Sequence, residues 1–254
     1  MNRHVKLLIS SICLSMLVNF SSSANDIKPI QFDIIKSYPF AYINENGKEV
    51  GTYWEYADLI AEETGISIAK SIMPKSRLIS NLKSGHSDAA ILFKTDSLNS
   101  HVEYIVQVRT IPIIVATQKG TLINHYDDLK SLATIGVFRS GVINPRFDND
   151  NQLNKDFISS YPKMVKMLAA KRLDAITGNG VALKALINQM CLQDKVEISP
   201  LLMGKREQWL VMSKKSEHLD QAQTIKESIL KLKAKGALDT IFEAHVSQHN
   251  HTCQ

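Results

Sequence analysis

The sequence predicts an α/β fold of two similar lobes joined by crossing strands. Short apolar segments alternate with amphipathic helical segments, which is typical of parallel sheets covered by helices. A helix-to-strand unit recurs: Leu82 lies six residues before Asp88, and Leu168 lies six residues before Asp174. The β-rich residues 104–117 form a run long enough to pass from one lobe to the other. A chance repetition of a common helix-turn-strand pattern is the alternative explanation of the repeat.

The composition fits a globular protein of one large or two smaller domains. Of the 254 residues, 44% are hydrophobic and 22% are charged, which suffices for a buried core and argues against disorder. The formal net charge is +5, and it falls to +3 when Arg3 and Lys6 are removed with the N-terminal segment described next. The remaining lysines are scattered, so nucleic acid is not an expected partner.

Residues 1–24 have the features of a cleavable signal peptide. A basic start that contains Arg3 and Lys6 precedes the apolar residues 7–20, and small residues lead to a cleavage position after Ala24. A membrane anchor is the alternative, but the apolar stretch is shorter than the roughly 20 residues that span a bilayer. We therefore expect export to the periplasm.

Two cysteines follow the predicted cleavage position. Cys191 and Cys253 can form a disulfide in an oxidising compartment, with two free thiols as the alternative. His245, His249 and His251 lie near Cys253 at spacings that a metal could use. A solvated terminus with Cys253 in a disulfide is favoured, so we expect no metal and no cofactor.

The first predicted lobe occupies residues 25–117. It opens with a strand over Ile30–Ile35, and Gly47 marks a tight turn after it. Thr52 is the predicted N-cap of the first helix, and Gly65 ends that helix. A second helix is opened by proline at position 74 and ended by glycine at position 85, ahead of a buried strand over residues 88–93.

The second predicted lobe occupies residues 118–207. Its first strand covers residues 134–138 and leads into a strand-to-helix turn, and Pro162 opens a later helix. A strand over residues 207–212 then returns the chain to the first lobe. Residues 208–254 complete that lobe with two apolar-striped helices separated by glycine at position 236.

Loops at the carboxyl ends of the strands are expected to converge on a ligand site, because open α/β sheets bind ligands there. These loops contribute the candidate ligand-binding residues Tyr38, Phe40, Phe93, Lys94, Thr95, Ser140, Gly141, Val142 and Asn179. Tyr38 and Phe40 are expected either to stack on the ligand or to pack within their loop. The backbone N–H groups of residues 140–142 are expected to open a helix and to favour a carboxylate or phosphate. Arg77, near the start of its helix, either binds an anion or lies on the surface.

Familiar catalytic motifs are missing from the sequence. It contains no Walker A loop, no Gly-x-Ser-x-Gly turn, no His-Glu-x-x-His and no Cys-x-x-Cys. We therefore expect a binding protein and not an enzyme.

Several segments, in order, resemble the amino-acid-type periplasmic solute-binding proteins of ABC transporters, which form family 3 of the bacterial extracellular solute-binding proteins. The segments are Tyr38-Pro39-Phe40, residues 44–48, Gly51 through Gly65, RLISNLKSGHSDAA at residues 77–90, Ile135-Gly136-Val137 with Ser140-Gly141, Asp174-Ala175, and Lys226 to Phe242, which ends in KAKGALDTIF. The resemblance implies a type II periplasmic-binding-protein-like clamp that works with a membrane permease. A monomer is expected.

The resemblance also implies an altered ligand. In the family an arginine after the third strand commonly binds the ligand carboxylate, and an aspartate after a later strand receives the amine. The matching positions here are Ser100 and Asn179, so both charges are missing. The candidates to replace the arginine are Arg77, Lys94, Arg109 and Arg139.

The expected function is therefore capture of a small polar molecule between the lobes, for ABC-type import. The ligand is expected to be amino-acid-like or an organic anion. A dehydratase-like periplasmic enzyme on the same clamp and a soluble ligand sensor are the alternatives.

Overall fold

The computed structural model describes residues 28–139 and 141–247. In this part of the chain the strands are β1 (Ile30–Ile35), β2 (Tyr42–Ile43), β3 (Glu49–Val50), β4 (Ile68–Met73), β5 (Ala89–Phe93), β6 (Val102–Gln118), β7 (Ile135–Phe138), β8 (Lys155–Ile158), β9 (Ala175–Asn179) and β10 (Val196–Ser213). The α-helices are α1 (Thr52–Thr64), α2 (Lys75–Ser84), α3 (Pro145–Asp148), α4 (Tyr161–Ala169), α5 (Gly180–Gln189), α6 (Ala222–Ala234) and α7 (Ala237–Ser247). None of these described helices combines the length and the apolar character needed to cross a membrane.

Eight strands form one sheet in the order β4-β1-β5-β10-β6-β9-β7-β8. At one end β1 pairs in parallel with β4 and β5, and at the other end β7 pairs in parallel with β8 and β9. In the first half β1 therefore lies between β4 and β5, and in the second half β7 lies between β8 and β9. The long strands β6 and β10 pair with each other in antiparallel fashion and contribute to both halves. This is the predicted two-lobed clamp of the type II class.

The repeat seen in the sequence corresponds to equivalent positions in the two halves. Asp88 and Asp174 each precede the third strand of their half. A carboxylate oxygen of Asp88 accepts a hydrogen bond from the backbone N–H of Gln31 at 2.7 Å, and one of Asp174 accepts from the N–H of Thr134 at 2.8 Å. Each aspartate thus ties its strand to the start of the neighbouring first strand.

Glycines end the first two helices as predicted, but the N-cap prediction for α1 is wrong. Gly65 and Gly85 follow α1 and α2 with left-handed φ values of 71° and 87°. Gly51, not Thr52, occupies the N-cap of α1. Its φ is 132°, and a Cβ there would lie 2.5 Å from the carbonyl oxygen of Phe40, so the loop requires glycine. Thr52 is buried inside the helix, where its hydroxyl donates to a backbone carbonyl.

The helix expected at residues 140–142 begins later. It starts at Pro145, where the side chain of Asn144 caps it by accepting from the N–H of Phe147 at 2.8 Å. The N–H of Gly141 already donates to the carbonyl of Phe138 at 2.7 Å. A short turn therefore separates strand β7 from the helix, and the Gly141 N–H is not offered to a ligand in the way the sequence suggested.

Each half of the sheet has its own hydrophobic core. In the first half Phe32 and Ile34 of β1 pack with Tyr53 and Tyr56 of α1 and with Ile229 of α6. The core of the second half includes Ile158, Met164, Val165, Leu168, Ile176, Leu183 and Leu186. Because α6 and α7 pack on the first half, the chain returns there at its C-terminal end.

Candidate functional site

A cavity of about 240 Å³ lies between the two halves of the molecule. Its walls come from the ends of the strands and from the crossing strands β6 and β10. The lining residues are Ile35, Ser37, Phe40, Lys75, Ile79, Ile91, Leu92, Phe93, Thr95, Ser97, Leu98, Ile113, Phe138, Gly141, Val142, Ile143, Tyr161, Gly178, Asn179, Arg206 and Gln208. The volume is below the roughly 300 to 1,000 Å³ of clefts for drug-sized molecules, so the cavity suits a small ligand.

Six of the residues predicted for a ligand site meet around this cavity. They are Phe40, Phe93, Thr95, Gly141, Val142 and Asn179. They come from the last residues of β5 and β9 and from the loops after β1, β5 and β7, which the sequence led us to expect at one site. Ser140 lies outside the described residues.

Three further candidates lie away from the lining. The ring of Tyr38 packs edge-on against Tyr42 at 4.8 Å, and burial raises the pKa of Tyr38 to about 12. The side chain of Arg77 is exposed on α2. The ammonium of Lys94 lies 4.9 Å above the ring of Trp209.

Arg109 is held by contacts with the C-terminal helix. Its guanidinium donates to a carboxylate oxygen of Asp239 at 2.8 Å and to the hydroxyl of Tyr56 at 3.2 Å. It also lies 3.4 Å from the centre of the Phe242 ring. These contacts join β6 to α7, and Arg109 does not line the cavity.

Arg206 is a lining residue that the sequence did not indicate. From β10 its guanidinium donates to the carbonyl of Val142 at 2.8 Å and to the carbonyl of Lys94 at 2.9 Å, and it lies 4.7 Å from the centre of the Phe93 ring. It therefore bonds to both halves of the molecule. These bonds leave further guanidinium N–H groups for a ligand.

Lys75 places a second positive charge at the cavity, and the sequence did not indicate it either. Burial lowers the pKa of Lys75, and the nearby charge of Arg206 lowers it further. Burial also lowers the pKa of Arg206 itself. Both cations are thus partly desolvated, and an anion bound in the cavity would stabilise their charged forms.

Two side-chain amides line the cavity, and the oxygen of each already accepts a hydrogen bond from the protein. Oδ1 of Asn179 accepts from the backbone N–H groups of Val181 and Ala182, at 3.0 and 3.1 Å, and so caps α5. Oε1 of Gln208 accepts a hydrogen bond from the hydroxyl of Tyr53. Asn179 can therefore offer a ligand its amide nitrogen, which is a donor, and Gln208 can offer its amide nitrogen and the second lone pair of its oxygen.

Aromatic rings form one wall of the cavity. The rings of Phe138 and Tyr161 stack with their centres 5.2 Å apart. The Tyr161 hydroxyl accepts from the N–H of Asn179 at 3.0 Å, and burial raises the Tyr161 pKa. The Tyr161 ring lies against Gly178, where a Cβ would approach it to 2.6 Å. A glycine in β9 thus makes room for this ring.

The C-terminal tail is described only as far as residue 247. Within α7, His245 is buried and its Nε2 lies 2.6 Å from a carboxylate oxygen of Glu55. His249, His251 and Cys253 lie outside the described residues, and so do residues 1–24. The disulfide between Cys191 and Cys253 and the signal peptide therefore stay predictions.

Sequence reasoning missed Arg206 because it lies within a crossing strand, and it missed Lys75 although this residue follows the parallel strand β4. Lys75 is the first residue of α2, and Arg206 lies in β10. One signal was available for Arg206: the middle of a crossing strand passes beneath the cleft, so polar residues there deserve consideration as ligand contacts.

The fold and the cavity define a class of protein, the two-lobed clamps that bind a small molecule between their lobes. Residues 33–248 match the family of bacterial extracellular solute-binding proteins, family 3, and the chain belongs to this family. No curated protein is similar enough in sequence to match.

Solved structures share the fold at low sequence identity. A mutant of ArgBP from T. maritima is 19% identical, with a TM-score of 0.73 over 86% of this chain and 95% of that one. The amino acid ABC transporter substrate-binding protein AbpA from Streptococcus pneumoniae, bound to L-arginine, is 21% identical, with a TM-score of 0.74 over 88% and 97%. A histidine kinase sensor domain with similarity to periplasmic binding proteins is 16% identical, with a TM-score of 0.76 over 86% and 96%.

Proposed function

We propose that this protein captures a small polar solute in the periplasm and delivers it to an ABC-type permease. The lobes of the proposed clamp are residues 25–117 with 208–254, and residues 118–207. The ligand site is the cavity between them, with Arg206 and Lys75 added to the six lining residues predicted from sequence. Binding, without turnover of the ligand, is the proposed activity.

The observation that carries the proposal is the position of this cavity. It lies where both halves and both crossing strands meet, and its polar groups converge from several loops. A hinge between the halves would let the cavity close around a solute, as in other two-lobed binding proteins. Membership of a solute-binding family supports the same function.

A thermal-shift screen tests the proposal. Amino acids, organic acids and cyclic polar compounds are added singly to the purified protein. A ligand at 100 times its dissociation constant should stabilise the fold by about 2.7 kcal/mol, because it binds only the folded state. A panel that produces no shift contradicts capture of a small polar solute. Chemical conversion of the stabilising compound would instead favour the dehydratase-like enzyme.

A soluble ligand sensor is the second candidate function. The structural similarity to a histidine kinase sensor domain favours it, since the same clamp serves in that setting. Deletion of the gene separates the two functions. Loss of uptake of the stabilising solute supports import, whereas normal uptake with a lost transcriptional response to that solute supports the sensor.

A further inference from the structure

We propose that the ligand is a small organic carboxylate with an apolar body and without an ammonium group. This inference rests on the proposed function, because it names the ligand class of the same cavity. It differs from the zwitterion that the family resemblance alone suggests.

The charged groups at the cavity favour an anion. Lys75 enters from the start of α2 and Arg206 from β10, and the described lining contains no carboxylate. Asp148 contributes a favourable charge to Arg206 but does not line the cavity. A ligand carboxylate gains charge-assisted hydrogen bonds here, while a ligand ammonium is repelled by two partly desolvated cations.

The Asn179 amide adds a donor, because its oxygen already accepts two hydrogen bonds, and the Gln208 amide adds a donor beside an oxygen that already accepts one. In many binding sites an amide oxygen could receive an ammonium, but Oδ1 of Asn179 is held by two backbone N–H groups and Oε1 of Gln208 by the Tyr53 hydroxyl. Turning the Asn179 amide round would leave the first N–H groups of α5 without their cap. The fold therefore fixes the orientation in which the Asn179 amide offers its donor to the cavity.

The remaining lining fits an apolar body. Phe138 and Tyr161 present stacked rings, and Phe40 and Phe93 also line the cavity. The aliphatic lining residues are Ile35, Ile79, Ile91, Leu92, Leu98, Ile113 and Ile143. Burial of an apolar group against these side chains contributes affinity that a wholly polar solute lacks.

Matched probes test the inference by isothermal titration calorimetry. Phenylpropanoate and L-phenylalanine differ only by the ammonium, as do isocaproate and L-leucine, and phenethylamine lacks the carboxylate. In each pair the anion should bind at least roughly ten-fold more tightly than the amino acid, and phenethylamine should show no binding. An amino acid that binds as tightly as its matched anion, or more tightly, overturns the inference.

Failure of the inference can be told apart from failure of the proposed function. If neither anion binds while an amino acid or another polar compound does, the inference is wrong and solute capture stands. If nothing binds, both are wrong.

Charge-removing variants test the assigned cations. Lys75→Gln and Arg206→Gln should each weaken phenylpropanoate binding at least roughly ten-fold, because each removes a charged donor. Arg77→Gln is the matched control: it makes the same change in charge on the exposed side of α2 and should leave the dissociation constant unchanged. Since Arg206 bonds to both halves, its variant is first checked for a cooperative thermal transition. If Arg206→Gln does not fold, Lys75→Gln alone tests whether the cavity cations bind the anion. Unchanged affinity in Lys75→Gln contradicts the assignment.

Asn179→Asp tests whether the missing negative charge at this position causes the preference for an anion over an amino acid. An aspartate keeps the oxygen that caps α5 and adds the negative charge that the amide lacks. The ratio of affinities for phenylpropanoate and L-phenylalanine should move toward the amino acid by at least roughly ten-fold. A ratio equal to that of the unaltered protein argues against an electrostatic origin of the selectivity.

Discussion

Asn179 shows how an internal hydrogen bond decides what a side chain offers a ligand. The sequence places it at the end of a strand, where a polar group invites interpretation as a ligand contact. Its oxygen caps α5, so it serves the fold and the cavity together. Replacing it with alanine would remove the cap, at a cost of about 0.5 to 2 kcal/mol, and would mix stability with affinity. A substitution that retains the cap is needed to isolate its role in binding.

The lowered pKa of Lys75 predicts that anion binding weakens at alkaline pH. The ordinary pKa is 10.5, and burial together with Arg206 lowers it in the folded protein. A carboxylate is attracted only by the protonated ammonium, so affinity should fall as pH rises through this lowered pKa, before an exposed lysine would lose its proton. Calorimetric titration of phenylpropanoate between about pH 7 and pH 10 measures the effect.

The matched variant for this pH profile is Lys75→Arg. Arginine keeps its charge throughout the range, so its affinity should stay level. An equal decline in the variant and in the unaltered protein would assign the titration to another group.

At the scale of elements, helix α4 packs on strand β9 at a glycine of that strand. Gly178 lies in a fully buried strand, and the first residue of α4, Tyr161, fills the space above it. The ring then stacks on Phe138 from β7, so three elements set the shape of the aromatic wall. The repeat of helix and strand predicts that α4 and β9 pack together, but not which ring lies on the glycine.

Gly178→Ala should destabilise the protein and weaken binding of phenylpropanoate. The added methyl group would lie 2.6 Å from the Tyr161 ring, so the ring must move, and overpacking of this kind costs about 1 to 3 kcal/mol. Denaturant unfolding measures the loss. In a Tyr161→Leu background the same alanine should cost much less, because the ring is gone. Equal costs in the two backgrounds would show that the strain arises elsewhere.

At the scale of the whole molecule, the crossing strands both connect the halves and supply the residue that bonds to each of them. β10 contains register irregularities between Ile198 and Gly204, and Gly204 has a φ of 130°. Arg206 follows two residues later, with bonds to Lys94 in one half and Val142 in the other. Irregular backbone beside a bridging cation is suited to a hinge whose position depends on that cation.

Arg206→Gln should favour a more open molecule when no ligand is bound. The variant loses the guanidinium that bonds to both halves, so small-angle X-ray scattering should give a larger radius of gyration than for the unaltered protein. Arg77→Gln provides the comparison with the same change in charge. Superimposable scattering curves for the two variants would indicate that the bridge does not control the separation of the halves.

The amino-acid sequence by itself determined the α/β class, the two-lobed repeat, the glycines that end α1 and α2, and the loops that meet at the cavity. These follow from hydrophobic periodicity and from backbone preferences, which act over a few neighbouring residues. The tertiary structure decided that Arg206 and Lys75 reach the cavity, while Arg109 pairs with Asp239, 130 positions away in the sequence. A crossing strand presents alternate residues to opposite faces, so its register determines which cation faces the ligand. That register is set by long-range pairing between β6 and β10, and no local pattern encodes it.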